Sequence, residues 1–185
     1  MSTIENLLRA YSRFVSIQWD RSLAGPQKVW FVIYEPSQER RLRRRIEEFA
    51  IETRNTGHNW HHIDLTNAFA NWMAAHEYRD AYFRRPERIT PALADFGDHV
   101  AHLLREALTA PDVDEDTVVA VSGIASLFGL TRTSSVIEAV NDHIRGRMLV
   151  FFPGQRDGSN YRILDARDGW NYHAVPIEAT AGDGV

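Results

Sequence analysis

The stretch TGHNWHHIDLT, residues 56–66, sets His58, His61, His62 and Asp64 within seven positions. Imidazole and carboxylate are ligands for zinc and iron, so metal chemistry is the first possibility to weigh. A strand, however, sends alternate side chains to opposite faces. His61 would then lie with Ile63 and Leu65, and His62 with Asp64, so the adjacent histidines could not close on one ion without distortion. His99 and His102 share a helix face but stand beside Val100 and Leu103, and HEYRD, residues 76–80, has Asp80 where the HExxH zinc-protease pattern needs a second histidine. Residues 56–66 are therefore expected to be a polar turn entering a buried strand. Asp64 or Thr66 would cap a helix beginning near Asn67, and no metal or other cofactor is expected.

Other chemistries find less support. The phosphate-cradling pattern GxxxxGK[ST] is absent, Lys28 precedes a strand, and SGIASLFG, residues 122–129, is not GxGxxG. Ser122 has no GxSxG elbow around it. Without cysteine, disulfides, thiolate zinc sites, iron–sulfur clusters and cysteine nucleophiles are excluded. In ERRLRRRIEE, residues 39–48, Arg40, Arg41, Arg44 and Arg45 could line one helix side and meet phosphates, but Glu39, Glu47, Glu48 and Glu52 interleave with them. With a net charge of −4, direct DNA binding is expected to be weak or absent. No catalytic motif emerges, and the chain is expected not to be an enzyme.

The elements that must position these residues follow from periodicity. Ile4, Leu7, Leu8, Tyr11, Phe14 and Val15 recur at helical spacing, giving an N-terminal amphipathic helix. KVWFVIY, TVVAVS and RMLVFFPG are apolar runs of strand length, suited to strands covered on both faces. Helices are expected over residues 36–55, 66–83, 91–109 and 133–144, and a short hairpin or edge strand over 155–178, where RDGSN and RDGW are turn signals. The reading is α/β: a single domain, residues 1–178, with a mostly parallel central sheet flanked by helices, and a disordered tail, residues 179–185. In such a sheet ligands gather beyond the carboxyl ends of the strands. Here that crevice would use Tyr34, Glu35, Asp64, Thr66, Ser122, Gly123, Pro153 and Gly154, as the site of a possible nucleotide-binding or sensing activity. Tyr161, Trp170 and Tyr172, set among turn residues, are candidates for a partner surface. There is no signal-peptide pattern and no apolar run of membrane-spanning length, so a cytoplasmic protein away from membranes is expected.

Four blocks taken together, VWFVIYEP, GHNWHHIDLTNAFANWMAAHEY, VVAVSGIASLFG and LVFFPGQRDGSNYRILDARDGWNYHAVPI, resemble the BrxB family of BREX bacterial phage-defence systems, over residues 28–177. The resemblance implies a small cytoplasmic component acting with other BREX proteins, with the alkaline-phosphatase-like PglZ as the expected partner. It supplies no catalytic residues, and it implies an adaptor.

Overall fold

The computed structural model describes residues 3–166 and 169–179. Five parallel strands form the central sheet in the order β2-β3-β4-β1-β7: β1 (Val29–Tyr34), β2 (Asn59–Asp64), β3 (Thr117–Ser122), β4 (Arg147–Asp157) and β7 (Val175–Ile177). Beyond the sheet β4 runs on and pairs antiparallel with β5 (Asn160–Ile163), which pairs with β6 (Trp170–Asn171). The helices are α1 (Thr3–Val15), α2 (Glu39–Arg43), α3 (Ile46–Asn55), α4 (Ala68–Ala75), α5 (Arg79–Arg84), α6 (Leu93–Leu108) and α7 (Thr133–Glu138).

Strand alternation divides the core into two layers. Trp30, Val32, Tyr34, Val118, Ala120, Leu149 and Phe151 meet Ile4, Leu7, Tyr11 and Val15 of α1 and Leu42 and Phe49 of α2 and α3. Phe31, Ile33, Val119, Val121, Met148, Val150 and Phe152 meet α6, α7 and the C-terminal hairpin. The apolar runs thus read correctly as strands covered on both faces, in a three-layer α/β domain. Both expected C-terminal features are present, since β4 and β5 form the hairpin and β7 the edge strand.

Several expectations are corrected. Among the described residues β2 is an edge strand paired only with β3, so it is half-exposed and not buried, and its polar residues are what an edge tolerates. The helix expected over 36–55 breaks at Arg44 and Arg45, and that over 66–83 breaks at His76, whose Nδ1 accepts the backbone N–H of Tyr78 at 3.1 Å. That side-chain bond holds a turn in competition with the helix. Asp64 and Thr66 do not cap α4, since Asn67 occupies the cap position without a side-chain bond. The tail expectation lies outside the described residues except at Ala179, which packs on the core.

Candidate functional site at the carboxyl ends of the strands

Register places Tyr34 beside Pro153 and Asp64 beside Ser122, so the sheet does bring the expected crevice residues to one end. They do not share an open crevice. Gly154 passes so close to β5 that an added Cβ would lie 2.0 Å from the carbonyl oxygen of Arg162, and the N–H of Leu164 bonds the carbonyl of Pro153 at 2.8 Å. The hairpin therefore covers the end of β4, dividing the region in two. One part is a polar network on the α2 side; the other is a cavity on the α7 side.

Arg43 organises the polar network. Its Nε donates to Glu39 at 2.7 Å and its Nη1 to Asp64 at 3.3 Å, while Nη2 donates to the hydroxyl of Thr66. Glu39 also accepts the hydroxyl of Tyr34. Asp64 Oδ1 receives the N–H of Thr66 at 2.9 Å and its hydroxyl at 2.5 Å, an Asx turn in place of the expected helix cap. Burial opposes the charge on Asp64, yet the bonds from Thr66 and the nearby Arg43 hold its carboxyl below the usual range. Burial, then Glu39, pushes the Tyr34 phenol up, keeping it a neutral donor. Glu35 is exposed. Arg43 was not among the sequence candidates, although Glu39 four residues earlier marks a helical ion pair.

The histidines of residues 56–66 go to different neighbours. His61 reaches Asp112 at 3.3 Å, His62 Nε2 meets Ser122 Oγ at 2.9 Å on the other face, and His58 stacks on Trp19 at 3.7 Å. Among the described residues no three His, Asp or Glu side chains gather as a metal site. The Ser122–His62 contact has the form of a nucleophile and base, but Ser122 is buried, 3% exposed.

The C-terminal aromatics are corrected as a partner surface. Tyr161 and Tyr172 are 2% and 5% exposed, with hydroxyls donating to the carbonyl of Ala174 and to Asn141 Oδ1. Their polar handles, which suggested an interface, serve buried partners. Trp170 is half-buried, its Nε1 donating to Glu138 at 2.9 Å. The four arginines expected to form one basic face are split by the helix break: Arg45 turns to Glu48 and Glu5, Arg41 to Gln38, and only Arg40 and Arg44 simply face solvent.

The exposed aromatic surface lies elsewhere. Among residues 79–92, α5 and the 3-10 turn Pro86–Ala92 contain no buried residue, while Phe83 is 70% and Tyr78 56% exposed. Between this arm and α4 and α6 lies a groove of about 750 Å³ lined by Trp72, His76, Tyr82, Asp95 and His99, with the Tyr82 ring centroid 5.2 Å from that of His76. Around Phe83 the arm carries Arg79, Arg84, Arg85 and Arg88 against Glu77, Asp80 and Glu87.

No protein-family model, curated protein or solved structure matches the chain. No helix among the described residues is long and apolar enough to cross a membrane.

Proposed function

We propose that the chain is a non-catalytic adaptor of a BREX-type phage-defence complex, binding a partner protein through the arm of residues 77–92. The observation that carries this reading is a segment with no fully buried residue that presents Phe83 and Tyr78 among arginines. Aromatic residues and arginine are the side chains that dominate protein interfaces. Along the arm four arginines stand against Glu77, Asp80 and Glu87, a small positive excess that suits an acidic partner surface with an apolar pocket for Phe83. The sequence resemblance names PglZ as the expected partner. The internal saturation of the Arg43 network and the burial of Ser122 favour a binding role over turnover at the strand ends.

Co-purification tests this. The tagged chain, expressed with the whole operon, should retain PglZ or another operon product, and Phe83→Ser with Tyr78→Ser should release it while circular dichroism stays unchanged. Retention by the double variant would refute the docking surface. Capture of no operon product by the wild-type chain would refute the adaptor role.

A further inference from the structure

The cavity on the α7 side of the strand ends is distinct from both the polar network and the arm. It is an open cleft of about 550 Å³, within the usual range for small-ligand sites, between the loop of residues 128–134 and the β4–β5 hairpin. Its walls are of two kinds. Phe152, Ile163 and Trp170 form an apolar side, with Phe128, 43% exposed, at the margin. Facing solvent along the other wall are Thr131, Arg132 and Ser134. Arg132 is the one charged residue among the described lining, and its guanidinium makes no ion pair or hydrogen bond among the described residues.

Two parts of the described lining, the 128–131 loop and Trp170, are held by contacts of their own. The loop is fixed by backbone bonds from Phe128 to Ala125 and from Leu130 and Thr131 to Leu127, with Gly129 at φ 77 making the turn. Gly97 of α6 lets this loop approach, since a Cβ there would lie 2.8 Å from Thr131 Oγ1. Trp170 is held by Glu138 and packs on Tyr172 with ring centroids 4.4 Å apart. Fixed walls of this kind reduce the ordering cost of binding.

We infer that this cavity binds a nucleoside monophosphate, its base against the aromatic wall and its phosphate at Arg132 and the neighbouring hydroxyls. An inorganic phosphate would leave the apolar half uncovered, and a nucleoside would make no use of Arg132. Arginine suits a phosphate because its planar fork can donate two parallel bonds. The inference does not depend on the adaptor role of the arm.

Isothermal titration of the full chain with AMP, GMP, CMP and UMP, and with adenosine and inorganic phosphate, tests it. At least one monophosphate should bind, and Arg132→Gln should weaken it tenfold or more without changing the affinity for its nucleoside. Phe128→Ser should weaken monophosphate and nucleoside alike. Both positions are exposed, and unchanged circular dichroism verifies that the variants fold. Binding of none of the monophosphates, equal binding of inorganic phosphate, or an Arg132→Gln variant that binds as the wild type does would overturn it.

Discussion

Gly123→Ala should destabilise the domain far more than Gly57→Ala, although both glycines adopt left-handed backbone, φ 78 and φ 85. At Gly57 an added Cβ meets nothing within 4 Å, so the substitution costs only the strain of a left-handed alanine. That strain is about 1–2 kcal/mol, offset by about 0.4–1 kcal/mol from a stiffer unfolded chain. At Gly123 the same Cβ would lie 2.5 Å from the backbone nitrogen of Thr66 and 2.6 Å from both Asp64 Oδ1 and Thr66 Oγ1. The Asx turn must then move, disturbing two bonds within it and the Arg43 contacts to both residues. At about 1 kcal/mol for each disturbed turn bond, the gap between the two variants is about 2 kcal/mol. With a urea m-value of about 2 kcal/mol per M, the midpoints should differ by about 1 M. The penalty at Gly123 should shrink in an Asp64→Ala background, because one of the clashing atoms is then gone. Equal midpoint shifts for the two alanines would refute the close packing of the Asp64 turn on Gly123.

Two further outcomes follow from the core and from burial. Thr53 gives its hydroxyl proton to the carbonyl of Phe49 at 2.8 Å, so Tyr11 must be the donor in the buried 2.5 Å bond to Thr53. Tyr11→Phe should cost about 1 kcal/mol in urea unfolding, and an unchanged midpoint would show that bond to contribute nothing. Burial holds His58 and His62 below the usual imidazole range, so below about pH 6.5 the unfolded chain takes up more protons than the folded one. Stability should be complete above that pH and fall as acid carries the pH toward the folded-state values. His58→Phe keeps a ring on Trp19 and should flatten this fall between pH 7 and 5, whereas an unaltered pH slope would exclude His58 as a source.

The sequence is most legible where one physical signal acts alone. VWFVIY, TVVAVS and RMLVFF are too apolar and too short for anything but strands between two helical layers, and they occupy that place. Legibility fails where a signal has two causes. Polar residues in NWHHID fit a loop, a site or an edge strand equally, and only the strand order, which depends on distant pairings, selects the edge. Tyr161 and Tyr172 beside turn residues suggested a surface, but their ring contacts with Phe31 are long-range facts invisible to local pattern. Phe83 and Tyr78 were hidden because 66–83 reads as one amphipathic helix, until the turn at His76 swings the second half away from the core. Of the strand-end residues, register could be foreseen, whereas the division of the crevice by the hairpin could not, because it depends on β4 continuing past Pro153.

The adaptor account rests most directly on where the partner sits. Hydrogen–deuterium exchange of the chain alone and in the complex purified from operon-expressing cells measures this without any substitution. Amides of residues 77–92 should exchange more slowly in the complex, with the Arg43 network and residues 128–134 unaffected. Protection confined to other segments, with residues 77–92 exchanging as freely as in the isolated chain, would contradict the account.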